Sequence, residues 1–189
     1  MSDLPVTLFK NQKAWETWLA KNSDSSAGVW MRIAKKDSGE KSVNYQEALD
    51  VALCYGWIDG QKQKFDEGSW LQKFTPRGPR SIWSKINRTK ALGLIDSGRM
   101  KPAGLASIER AKANGQWESA YDSHSTATVP DYFEKALSKN AKARKFFATL
   151  NSQNRYAILW RLQTAKKEET RQKRVEQFIE MLSKGETLH

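Results

Sequence analysis

NYQEALDVALCYGWIDGQKQKFDEGSWLQKFT, residues Asn44 to Thr75, decides the architecture. Asn44 followed three residues later by Glu47 is a capping box, in which each side chain satisfies a backbone N–H left open by the first helical turn. Ala48, Leu49, Ala52 and Leu53 then recur at helical spacing. Gly56 closes the helix in the left-handed conformation that favours glycine. Residues 57–65 and 69–75 have strand character, joined through Asp66-Glu67-Gly68. A helix feeding directly into a β-hairpin is expected.

Working outward, Asn11 caps a short helix whose Trp15, Trp18 and Leu19 share one face. Gly28 breaks the chain before a strand that places Val29, Met31 and Ile33 on one side. Beyond the hairpin, Pro76 and Pro79 end the strand. Ile82, Ile86, Ala91, Leu92 and Ile95 supply the apolar stripe of a helix that Gly98 closes. Pro102 opens the next, with Leu105, Ile108 and Ala111, and Gly115 stops it. Asp122 to Thr128 is a short polar linker. Helices follow from Pro130 with Phe133 and Leu137, from Ala141 with Phe146 and Phe147, from Ser152 with Tyr156, Leu159 and Trp160, and from Glu168 with Val175, Phe178, Ile179 and Leu182. No helix separates the hairpin strands, which argues against a parallel sheet. The pattern is α+β: a small antiparallel sheet packed on helices with a helical C-terminal portion. Residues 1–122 form the α+β portion and 129–189 the helical portion, packed on it as one structural unit.

At 189 residues the chain is long enough to bury roughly 70% of its unfolded surface without disulfides or metal. Cys54 is the sole cysteine, and His124 and His189 the sole histidines, so neither a disulfide nor a Cys- or His-based metal centre can be assembled. The N-terminus lacks a basic stretch followed by an apolar core, and no apolar run reaches the ~18–20 residues of a bilayer span. A cytoplasmic protein with no cofactor is expected.

The formal charge of +11 is unevenly placed. Residues 1–60 carry seven Lys/Arg against eight Asp/Glu, so the remaining 129 hold +12. The stretch that stands out is Lys73 to Lys90, with Arg77, Arg80, Lys85 and Arg88 between and no acidic residue. Arg77 and Arg80 flank prolines, and a helix start follows; guanidinium groups beside helical N–H groups can hold phosphate or carboxylate. Trp83 would add a stacking surface. The competing reading is a packing corner, with arginine stems covering apolar surface. A second basic run, Arg161 to Arg174, is offset by Glu168 and Glu169 and reads mainly as a solvated face.

Gly56-Trp57-Ile58-Asp59-Gly60 also has two readings. Asp59-Gly60 bends or bulges a strand, or Asp59 faces a ligand beside an aromatic wall of Trp57 and Trp83. Catalytic constellations are otherwise mostly absent: His124 has Asp122 nearby, but neighbours in a polar loop are seldom a preorganised site, and Cys54 sits on an apolar helix face.

Several blocks resemble the YdeI/OmpD-associated family: Ala52-Leu53-Cys54-Tyr55-Gly56-Trp57-Ile58-Asp59-Gly60, then Phe74-Thr75-Pro76-Arg77 with Ser81-Ile82-Trp83-Ser84-Lys85-Ile86-Asn87, then Gly98-Arg99-Met100-Lys101-Pro102-Ala103-Gly104, and last Ala165-Lys166-Lys167-Glu168-Glu169-Thr170-Arg171. They run in order between about Phe9 and Gly185. The resemblance implies a label, bacteriocin protection or association with an outer-membrane porin, and a link to envelope stress. It brings no reaction and no catalytic residues. A chain of charge +11 repels cationic peptides, so any protection would act indirectly.

The resulting expectation is a non-catalytic binding protein for an anionic ligand, nucleic acid or an acidic protein, using Arg77, Arg80, Lys85 and Arg88. The alternative is an enzyme acting on a small anionic metabolite in a pocket near Trp57, Asp59, Arg77 and Trp83, with Asp59 as acid or base.

Overall fold

A computed structural model describes residues 4–189; Met1 to Asp3, part of the N-terminal stretch read above, lie outside the described residues. The chain divides into two compact units. The first holds everything up to Trp83 together with Asn87–Glu118, and the second holds Ser84–Ile86 and Ser119–His189.

The first unit is built on a four-stranded sheet of order β1-β2-β4-β3, with β1 Val6–Leu8, β2 Val29–Ala34, β3 Trp57–Lys64 and β4 Ser69–Pro76. The β2–β4 and β4–β3 pairs are antiparallel, as expected. The three-residue β1 adds a parallel edge against β2, because helix α1, Gln12–Asn22, carries the chain over between them. In β2, Val29, Met31 and Ile33 are buried and alternate with half-buried Trp30, Arg32 and Ala34. With Phe74 of β4 they pack on Trp15 and Leu19 of α1 and on Ala48, Val51 and Ala52 of α2, Tyr45–Cys54. Each such large side chain contributes roughly 1.5–3 kcal/mol by leaving water. The buried indoles of Trp15 and Trp57 keep their N–H groups satisfied, donating to Ala48 O at 3.0 Å and Ser23 O at 3.2 Å.

The capping box of α2 forms as its sequence requires, and Gly56 ends the helix at φ 72°. A bulge between Asp59 and Lys62 interrupts the β3–β4 register. Buried Gln72 fills that gap, its Nε2 donating to Gly60 O at 2.9 Å and Gln61 O at 3.2 Å. The bulge therefore leaves these carbonyls satisfied.

Two helices complete this unit, the first of them from its third residue, Asn87, onward. α3, Lys85–Asp96, buries Ala91 and Leu94, whereas Ile86, Leu92 and Ile95, expected to face inward, are exposed. Ala91 lies inward as the sequence stripe requires, but it is Leu94, and not Leu92 or Ile95, that joins it. α4, Pro102–Ala113, buries Gly104, Ser107, Ile108 and Ala111. Gly104 lets α4 approach the end of α2: an added Cβ would stand 2.9 Å from the Cys54 carbonyl carbon and nearer still to its oxygen.

The second unit is helical: α5 Asp131–Ser138, α6 Ala141–Thr149, α7 Ser152–Gln163 and α8 Glu168–Ser183. Phe133, Leu137, Ala143, Phe147, Ile158, Leu159, Leu162, Phe178 and Leu182 form its core. Asp122, read from sequence as plain linker, is a hub here. Its carboxylate takes an ion pair from Lys85 Nζ at 2.6 Å and a hydrogen bond from Gln163 Nε2 at 2.9 Å. Its carbonyl accepts from Tyr156 OH at 3.0 Å. Lys85 N also donates to Tyr121 O at 2.8 Å, which ties residues 84–86 to this unit.

Candidate anion-binding site

The basic block from Lys73 to Lys90 is spent piecemeal. Arg77 is only 6% exposed. Its guanidinium lies 3.7 Å over the Trp83 ring and donates to Ile82 O at 3.2 Å. Its own N–H donates to Gly56 O, and its carbonyl accepts from Arg110 at 2.8 Å. Trp83 in turn packs edge-on against Trp117, centroids 4.9 Å apart. Arg77 is the centre of a packing corner, held by cation–π contact and backbone carbonyls.

The neighbouring cations go elsewhere. Arg88 donates to Trp117 O at 3.1 Å, Lys90 pairs with Asp50 at 2.6 Å, and Lys73 sits 5.8 Å from the Trp30 ring centroid. Lys85 belongs to the second unit, on Asp122. Arg80 is exposed in the turn after Pro79 and has no ion-pair partner among the described residues.

Of the four residues named for a catalytic pocket, Arg77 and Trp83 share one small cavity, with Ser107 and Arg110 also in its wall. It measures about 10 Å³, room for about one water molecule. Trp57 and Asp59 are not in its lining. Trp57 is 1% exposed in the sheet–helix core, and Asp59 accepts a hydrogen bond from Tyr45 OH at 2.8 Å. Burial pushes the Cys54 thiol up, against the opposing pull of Arg99 and Lys101, so it is a poor nucleophile. His124 is exposed, edge-on to Tyr156. Among the described residues no group of three or more His, Cys, Asp or Glu is placed to hold a metal ion, and no helix is long and apolar enough to cross a membrane.

A larger concavity lies in the first unit where sequence reasoning did not look. It is a hollow of about 730 Å³ walled by Lys10 and Lys13 at the start of α1, by Lys35 and Lys36 after β2, and by Lys41 before α2. The N-terminal turns of α1 and α2 reach it through Asn11 and Asn44, which accept from Ala14 N and Glu47 N. Its two carboxylates are already engaged. Glu40 pairs with Arg32 at 2.5 Å, and Glu47 accepts from Asn44 N at 3.2 Å within the capping box. Lys35 donates to Glu67 O at 2.8 Å; Lys10, Lys13, Lys36 and Lys41 have no ion-pair partner among the described residues. A windowed charge count hides these five, because they lie in the part of the chain whose balance is −1 and only the fold gathers them.

Residues 7–107, just over half of the chain, match the family described as a domain of unknown function (DUF8412). Residues 126–185 match the family described as bacteriocin-protection, YdeI or OmpD-associated. The last of the sequence blocks, residues 165–171, lies within that second match, and the three earlier blocks lie within the first. No curated protein and no solved structure matches significantly.

Proposed function

Since the chain belongs to the DUF8412 family and residues 126–185 match the family described as bacteriocin-protection, YdeI or OmpD-associated, neither of which is described by a reaction, we propose from its geometry that it is a non-catalytic binding protein for a small, multiply charged anion. The observation that carries this is the lysine-walled hollow. Its volume falls in the ~300–1,000 Å³ range of ligand sites, and ammonium groups without carboxylate partners gain most from an incoming anion. Arg77 serves this reading as a structural residue, and Arg80 as an exposed cation outside the hollow. The enzymatic alternative at Trp57, Asp59, Arg77 and Trp83 draws less support, because a one-water cavity has no room for a metabolite.

The test is calorimetric titration of the full chain with inorganic tripolyphosphate at low ionic strength, beside the variant Lys13→Ala/Lys36→Ala/Lys41→Ala. Exposed ion pairs contribute about 0.2–1 kcal/mol each, so three should cost about 3- to 150-fold in affinity. Absence of binding by the parent, or equal binding by the variant, rejects the proposal. If the anion binds, a role in bacteriocin protection would rest on what the anion signals, since the +11 chain repels cationic peptides.

A further inference from the structure

From Lys135 to Lys167 the chain has nine Lys/Arg and no Asp or Glu over 33 residues. Four of the nine are set apart: Arg155 lies 4.5 Å over the Phe147 ring, Arg161 donates to Ala157 O, and Lys166 and Lys167 precede α8. The other five, Lys135, Lys139, Lys142, Arg144 and Lys145, fall within eleven residues at the end of α5 and along α6. All five are exposed, and none has an ion-pair partner among the described residues. The second unit does hold acids, Asp131 and Glu134 in the first turn of α5 and Glu176 on α8, yet none pairs with these cations.

Helix α6 points Ala143 and Phe147 into the core, with half-buried Phe146 packed beside them. Its opposite side carries Lys142, Arg144 and Lys145, spaced by the small exposed residues Ala141, Ala148 and Thr149. Nine residues make a rod roughly 14 Å long. Small residues between long cationic ones leave the rod slim enough for a groove about 12 Å wide, where ammonium and guanidinium groups reach the phosphates on either side. An interfacial membrane helix needs a free apolar face, and the apolar face of α6 is spent in the core. An acidic protein would supply carboxylates singly, whereas a duplex supplies one charge about every 1.7 Å, which suits five unpaired cations on a short rod.

We infer that the outward face of α6, with Lys135 and Lys139 beside it, docks on the phosphate backbone of duplex nucleic acid without base specificity. This surface is independent of the lysine hollow in the first unit.

Fluorescence anisotropy of the full chain with a labelled mixed-sequence DNA duplex tests it. Five phosphate contacts give a log–log salt slope near −4.5, so affinity should fall roughly 500-fold between about 50 and 200 mM salt. Lys142→Ala/Arg144→Ala/Lys145→Ala should bring the slope to about −1.8. Lys13→Ala/Lys36→Ala/Lys41→Ala, in the hollow, should leave the duplex salt slope near −4.5, which separates this inference from the proposed function. Circular dichroism checks that the α6 variant folds; should it not, Lys142→Gln/Lys145→Gln is read the same way. Failure to bind duplex at low salt overturns the inference. So does a slope insensitive to the α6 substitutions, or tighter binding to polyglutamate or phosphatidylserine vesicles of matched charge.

Discussion

Two glycine-to-alanine substitutions in neighbouring helices should act with opposite sign. At Gly104, in α4, the new methyl group would enter the space held by the Cys54 carbonyl and the Met100 thioether. The thioether can swing aside. The carbonyl cannot, because it ends α2 and accepts from Lys101 N at 3.1 Å. Relief would require α2 and α4 to move apart by much of an ångström, loosening the packing of Ile108 and Ala111. Overpacking of this kind costs about 1–3 kcal/mol, and a rigid backbone neighbour places Gly104→Ala at the upper end. For a chain of this size that is a fall in Tm of roughly 6–12 °C. At Gly93, in exposed α3, nothing lies within 4 Å of an added Cβ. Helix propensity alone operates there and should raise stability by about 0.5–1 kcal/mol. Seven of the eight tryptophans lie in the first unit, so urea denaturation followed by tryptophan fluorescence reports mainly on the unit that contains both glycines. A Gly104→Ala midpoint equal to or above the parent's would refute the close-approach argument.

Two further outcomes follow from the hydrogen bonding. The Asp66 carboxyl is held below its ordinary value of 3.8 mainly by the Ser69 hydroxyl, with Gly68 N–H adding to it, so the charged form is the one that braces the hairpin turn. A lowered folded pKa means this stabilisation is complete above 3.8 and lost as pH falls through the lowered value. The gap in urea midpoint between the parent and Asp66→Asn should hold steady near neutrality and close on acidification; a gap unchanged in acid would contradict this. Asp122→Asn removes the charge that holds Lys85, and exchange of the Lys85 amide, which donates to Tyr121 O, should quicken by about tenfold, the equivalent of ~1.4 kcal/mol. Unaltered exchange would show that the backbone pairing of residues 84–86 suffices alone.

Where sequence carries its own local physics, it was readable. The Asn44–Glu47 box, the glycine stop at 56 and the alternation in Val29–Ile33 each satisfy backbone groups or segregate side chains within a few residues, and each forms. The hairpin likewise runs from Trp57 to Pro76. The edge strand β1 escaped because three residues cannot show a period, and its pairing depends on where α1 returns the chain. The helix stripe of α3 held at Ala91 but misled at Leu92 and Ile95, which are apolar yet exposed, while Leu94 turns inward.

The site was less legible for a related reason. Charge density along a window does not say where side chains point, and the Lys73–Lys90 block turns inward, sideways and onto the second unit's Asp122. The lysines of the hollow come from two stretches more than twenty residues apart, the start of α1 and the connection between β2 and α2, and only the fold brings them together. The acid-free run from Lys135 was visible all along; its weight lay in the ion pairs it lacks, which no sequence prints.

The assignment of Ser84–Ile86 to the second unit has a practical consequence. The polypeptide visits the helical unit, goes back for thirty-odd residues, and then leaves for good, so no single cut separates the halves. A fragment beginning at Ser119 would leave the Asp122 carboxylate without its lysine and Tyr121 without its strand-like partner. One ending at Trp83 would forfeit α4 and, with it, the lid over the end of α2. Dissection by truncation will therefore understate both pieces, and point substitution in the intact chain is the sounder route to their separate roles.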